Sequence, residues 1–146
     1  IYLESQNTKT KVMKNIKIAF FLGLLGFALY SFKTLVQDEW VVPEKYKTMK
    51  NPTDPNDNKK LAIGRNLYAQ HCQACHGKQG FGDGPKAANQ KGDMGDFSSD
   101  ATQSLTDGAL FYKITTGRGD MANFDKKLPR DEDRWLLVNY LRTLKE

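Results

Sequence analysis

Apolar positions along the chain fall into four groups, set apart by polar or glycine-rich stretches. The first is Ile18 to Phe32, 15 residues without a charge between Lys17 and Lys33. At about 1.5 Å per residue this core is roughly 22 Å long as a helix, short of a hydrocarbon layer of ~30 Å. A helix over residues 13–36 makes up the difference if Lys14, Lys17 and Lys33 turn their charges outward. The second group, Leu61, Ile63, Leu67, Tyr68 and Cys72, has the spacing of one helical stripe from Asn58 to Cys72. The third runs from a Ser104–Asp107 capping box through Leu105, Ala109, Leu110, Phe111 and Ile114 to Gly117. The fourth covers 129–145, where Pro129 and the acids Asp131, Glu132 and Asp133 suit a helix N-terminus. Trp135, Leu136, Leu137, Val138, Tyr140, Leu141 and Leu144 then give it a wide apolar face. No strand-type alternation appears, so the expected fold class is all-α.

Between these groups lie two polar stretches. Residues 37–57 hold Pro43, Pro52 and Pro55 among Asn, Asp and Lys, the composition of a linker. As a flexible chain its ends would lie on the order of 25 Å apart. The segment from Gly77 to Gly95 is glycine-rich, which lets backbone pass close to a flat ligand. The expected organisation is an N-terminal extension over 1–12, a transmembrane signal anchor over 13–36, the linker over 37–57 and a folded domain over 58–146. Four lysines before the apolar block, against Asp38 and Glu39 after it, put residues 37–146 on the outer side. Cleavage as a signal peptide is disfavoured, because Ala28-Leu29-Tyr30-Ser31 offers Tyr30 where a small residue is needed. Trp40 suits either a membrane interface or a partner protein.

Charge then narrows the function. The chain has 146 residues and a net charge of +5, but residues 1–50 carry eight lysines against four acids. The remainder is nearly neutral and lacks the clustered basic face of a nucleic-acid binder. Two cysteines in the whole chain rule out a disulfide framework.

Those cysteines are the centre of the candidate chemistry, in Cys72-Gln73-Ala74-Cys75-His76. A Cys-x-x-Cys pair serves redox dithiols, zinc sites and covalent haem attachment. Zinc needs four ligands, and His71, Cys72, Cys75 and His76, crowded into six residues, are the only Cys and His in the chain. A dithiol motif belongs after a strand, and the flanks here read as helix. The histidine directly after the second cysteine favours one covalently bound haem c, with thioethers at Cys72 and Cys75 and His76 on the iron. A second axial ligand is often a methionine. Met13 and Met49 fall in the anchor and linker. Met121 is preferred to Met94, because 45 residues after His76 leave enough chain to pass round the haem edge; His71 is a minor candidate.

Over residues 58–146 the chain resembles class I cytochromes c. The resemblance is carried by Gly64 and Tyr68, the Cys72–His76 motif, Gly82-Asp83-Gly84-Pro85, the Met121 loop, and Leu137 with Tyr140. It implies that Gly64 and Tyr68 meet Leu137 and Tyr140 where the first and last helices cross. It also implies that the Pro85 carbonyl accepts from the axial imidazole of His76, fixing the ring. Ala122 departs from the proline many relatives have after the methionine. A membrane-anchored, single-haem protein of this kind is similar to tethered respiratory carriers and to small subunits of quinol-oxidising or oxygen-reducing complexes, such as the single-haem subunit of alternative complex III. The resemblance implies a bacterial cytoplasmic membrane with the haem domain on its periplasmic face.

The function expected is one-electron transfer with both axial positions filled, without catalytic residues or a small-molecule substrate. The partners expected are haem or copper proteins or complex subunits. Lys78, Lys86, Lys91, Lys126, Lys127 and Arg130 flank the loops expected to rim the haem, where they would steer an acidic partner. The competing classes are a haem enzyme or gas sensor with an open iron, and a structural haem subunit.

Overall fold

The computed structural model describes residues 39–145; the extension at 1–12 and the anchor read over 13–36 lie outside the described residues. Among the described residues no helix is long and apolar enough to cross a membrane. A single helical turn, α1 (Glu44–Lys47), follows Pro43, whose carbonyl accepts from the Tyr46 amide at 2.9 Å. Helix α2 (Asn58–His71) starts where the Asp57 carboxylate accepts from the amides of Lys59 and Lys60 at 2.9 and 3.1 Å. It ends at Cys72, and the short α3 (Gln73–His76) follows at once. After a 3-10 turn at Ala87–Asn89 come α4 (Asp100–Gln103), α5 (Asp107–Thr116) and α6 (Asp131–Arg142). Outside the helices, an isolated bridge pairs Arg118 with Met121.

The centre of the fold is α6. It is buried on nearly every side from Asp133 to Leu141, with α2 and α5 leaning on it. Tyr68, Leu110, Phe111, Ile114, Phe124, Leu128, Trp135, Leu137, Val138 and Leu141 form one apolar core. Phe111 stacks on Trp135 at 4.0 Å, and the buried Arg134 guanidinium lies over the Phe111 ring at 5.2 Å from its centre. Arg134 donates to the Leu128 carbonyl and pairs with Asp131, so its charge is not left alone in the core.

Three expectations need correction. Ile63 is 45% exposed, because α2 packs on α6 through Gly64 and Tyr68, and Ile63 lies about 100° round the helix from Gly64. The cap of α5 is Thr106, whose hydroxyl accepts from the Ala109 amide at 3.2 Å, and not Ser104. Asp107 does not reach back to Ser104; it pairs with Arg142 at 2.7 Å, while Ser104 closes α4.

The third correction concerns residues 41–57, read as linker. They belong to the folded unit, which begins at Val41. Val42 is buried, and the Tyr46 ring packs on Tyr112 of α5 at 4.7 Å. Asn51 donates to Asn139 Oδ1 at 2.6 Å, and Asn139 in turn donates to the Thr53 hydroxyl at 3.0 Å. A polar strap is thus pinned to α6 by a closed amide–hydroxyl network, where an apolar contact would have announced itself in the sequence.

Candidate functional site

The Cys72–His76 motif sits where α2 hands over to α3. The Cys72 amide still donates to Tyr68, closing α2 at 2.8 Å. The Cys72 carbonyl then accepts from the amides of Cys75 at 3.1 Å and His76 at 2.9 Å. One helical turn therefore carries both thiols and the imidazole. No disulfide joins Cys72 and Cys75, and both are half-buried. Burial, with the neighbouring Cys75, pushes the Cys72 thiol up to about 12.

Two contacts lock this turn. The buried Tyr68 hydroxyl donates to the Gly77 carbonyl at 2.7 Å, tying α2 to the residue just past the motif. The following loop folds back so that the amides of Gly82, Gly84 and Lys86 donate to the carbonyls of His76, Cys75 and Ala74, at 2.9, 3.1 and 2.8 Å. Pro85 sits exposed within that loop. The bond expected from His76 to the Pro85 carbonyl is not made: His76 Nδ1 is buried and has no hydrogen-bond partner.

What orients the His76 ring here is Phe97, which stacks on it at 4.4 Å with the planes 24° apart. Phe97 is held by its own amide, donating to Gly80 at 2.7 Å, and by the edge of Tyr68 at 6.4 Å. Sequence reasoning missed it. Its one signal was an aromatic ring just past the glycine-rich segment. Burial lowers the His76 pKa, offset in part by the Met94 backbone, so the imidazole is held in the neutral form that binds metal.

The methionines fall in different places. Met94 is half-buried, with its backbone at His76 and its Cβ against Gly82, on the imidazole side of the site. Met121 is also half-buried and packs against the apolar core, as do Cys72, Phe97 and Ala122. Its amide donates to the Arg118 carbonyl at 3.0 Å. Gly117 lies so close under the Met121 and Ala122 carbonyls that a Cβ there would collide with both. At the far end of the loop, the amides of Phe124 and Asp125 both donate to the Thr115 carbonyl, at 3.1 and 3.3 Å. The loop is therefore braced against the end of α5 although Ala122 replaces proline. His71 is exposed, edge-on to Phe124 at 6.1 Å.

Lys78, Lys86, Lys91, Lys126, Lys127 and Arg130 are all exposed. Their charges are unequal in availability. Arg130 is held by two hydrogen bonds to Asp133, at 3.0 and 2.6 Å, and Lys127 lies over the Phe124 ring at 5.6 Å.

Two thiols and a neutral imidazole on one turn, with half-buried apolar groups beside them, are the donor set and surroundings that a covalently held haem requires. The residues present fit that group.

Comparison with known proteins agrees with this chemistry. The family model described as cytochrome c oxidase, cbb3-type, subunit III, matches residues 59–141. Among solved structures, a chain of the reducing HAO-like protein complex of Kuenenia stuttgartiensis is similar, with a TM-score of 0.57 and 25% sequence identity. The similarity covers 80% of this chain and 54% of that one, so this chain spans about half the length of that relative. No curated protein matches.

Proposed function

Because the chain belongs to the family of cytochrome c oxidase, cbb3-type, subunit III, we propose that it is a membrane-anchored, single-haem cytochrome that passes one electron at a time between respiratory proteins. The described part is a class I cytochrome c whose named elements are helices, and a domain of this kind is an electron carrier rather than an enzyme. The observation that carries the proposal is the single helical turn that brings Cys72, Cys75 and His76 together.

In this reading Cys72 and Cys75 would hold one haem c covalently, His76 would bind its iron, and Met121 would supply the second iron ligand. Met94 is the weaker choice, since its backbone already lies beside His76. When bound, the haem supplies the one-electron couple. The chain's part is to keep the iron closed to other ligands, to hold His76 neutral and to orient a partner. Lys78, Lys86, Lys91 and Lys126 are exposed cations next to the site loops and would steer an acidic surface. The similar chain belongs to a multi-protein complex, which supports exchange with a protein partner. Residues 13–36 would anchor the protein in a bacterial cytoplasmic membrane, with the haem domain on the periplasmic face.

Optical spectra of the purified full chain test this. Expected are a low-spin c-type spectrum with the weak far-red methionine–iron band in the oxidised form, and no response of the reduced form to carbon monoxide. Met121→Leu should abolish the band and admit carbon monoxide. A high-spin spectrum, or ready carbon monoxide binding by the unaltered protein, overturns the closed-carrier reading. Release of the full chain into the soluble fraction on washing membranes overturns the anchor.

A further inference from the structure

Two loops that reach the site from distant parts of the sequence are joined by a hydrogen bond. The Lys91 backbone N–H donates to Asp120 Oδ2 at 2.8 Å, across 29 residues. Lys91 opens the glycine-rich turn that carries Met94, whose backbone lies at His76, and that packs against Gly82 through Met94 and Gly95. Asp120 immediately precedes Met121.

We propose that Asp120 is a positioning residue, and that its bond to the Lys91 amide latches the Met121 loop to the His76 side of the site. The proposal rests on the reading of Met121 as the axial ligand. Other aspartates in this loop region behave locally: Asp93 accepts from the Gly95 amide and Asp96 from the Ser98 amide, each two residues on, at 2.9 and 2.8 Å. Such turns shape their own loop. Asp120 instead reaches out of its loop. The bracing at Gly117, Arg118 and Thr115 ties the Met121 loop to itself and to α5. It sets the shape of the loop, and Met121 and Ala122 rest on the apolar core. The Asp120 bond adds a tie from this loop to the 91–95 loop, in a chain where Ala122 offers no proline rigidity. Because the donor is backbone, the Lys91 side chain has no part in it.

The test uses the purified full chain with its haem. It compares Asp120→Ala, Asp120→Asn, Lys91→Ala and Met121→Leu by carbon monoxide binding to the reduced form, the far-red band of the oxidised form, and amide hydrogen exchange at Lys91. Asp120→Ala should speed both Lys91 exchange and carbon monoxide binding, by about three- to tenfold for the loss of one such bond. Asp120→Asn, which keeps an acceptor oxygen, should stay nearer the unaltered protein, and Lys91→Ala should match it. Unchanged exchange and carbon monoxide binding in Asp120→Ala, with the far-red band abolished in Met121→Leu, overturns the latch and leaves Met121 as ligand. A far-red band that survives Met121→Leu overturns the ligand reading itself, and the role of Asp120 falls with it.

Discussion

Gly64 of α2 faces the Leu136 carbonyl of α6 so closely that a Cβ on Gly64 would overlap it, and the Tyr140 Cβ would lie 3.3 Å away. The obstacle is helix backbone and cannot swing aside as a side-chain tip would. Gly64→Ala must therefore push α2 away from α6, against the helix propensity that alanine gains. Tyr68, one turn along and packed on Tyr140 at 5.1 Å, would move with it. A loss of about 2 kcal/mol is expected from overpacking of this kind. Denaturant unfolding of the variant beside the unaltered protein measures it, and equal midpoints would show that the crossing has slack.

The strap supplies a second prediction. Asn139 is 4% exposed, accepts from Asn51 and donates to Thr53. Asn139→Ala leaves the Asn51 amide and the Thr53 hydroxyl short of partners in a half-buried place. The expected cost is about 1–3 kcal/mol. Limited proteolysis should show new cutting between residues 41 and 57, with the α2–α6 core still resistant. Cutting that begins in the core instead would mean that the strap does not open separately.

These two regions also show what the sequence made legible. Helices over 58–72, 104–117 and 129–145 could be read because each pairs an apolar stripe with a polar start, and the structure places α2, α5 and α6 there. The Cys72–His76 turn was legible because its three side chains lie within one helical turn. The strap was not, because Asn51 and Thr53 bond to Asn139, more than 80 residues away, and carry no apolar signal of their own. Ser104 and Thr106 are both good caps by type, and only the bond from the Ala109 amide to the Thr106 hydroxyl shows which one the helix uses. The stacking of Phe97 on His76, like the bracing of the Met121 loop at Gly117, depends on loop paths that no periodicity encodes.

Tyr68 gives the fold an alkaline limit. Burial, followed by the nearby Cys72, Tyr140 and Asp83, raises its phenol pKa well above the ordinary value of 10.0. A group whose folded pKa is raised contributes stability that is complete below its unfolded pKa and is lost as pH climbs toward the folded value. The unaltered protein should therefore lose stability as pH rises above about 10, the ordinary tyrosine value. Tyr68→Phe should be less stable at pH 8 by about 1 kcal/mol, through the lost bond to the Gly77 carbonyl, and should lack this alkaline component. Unfolding midpoints for the two proteins at pH 8 and 10.5 test the sign, and parallel falls would place the alkaline loss elsewhere.

Arg142 closes the end of α6 with more than an ion pair. Its guanidinium donates to Asp107 at 2.9 and 2.7 Å, to the Gln103 carbonyl at 2.9 Å and to the Leu105 carbonyl at 2.6 Å. The two carbonyls lie at the end of α4 and in the turn into α5, so one side chain gathers three helices. The ion pair is a third exposed on both sides, 27% and 36%, and water screens it. The carbonyl bonds are the larger part, since removing the donor leaves those acceptors without their partner. Arg142→Ala should cost about 2 kcal/mol and Asp107→Ala less than half of that, about 0.5 kcal/mol. Arg142→Lys keeps the charge but not the planar fork, and should fall close to the alanine variant. Raising the salt concentration should hardly change these differences. If Asp107→Ala proves as damaging as Arg142→Ala, and the loss shrinks with salt, the ion pair is what holds α4, α5 and α6 together.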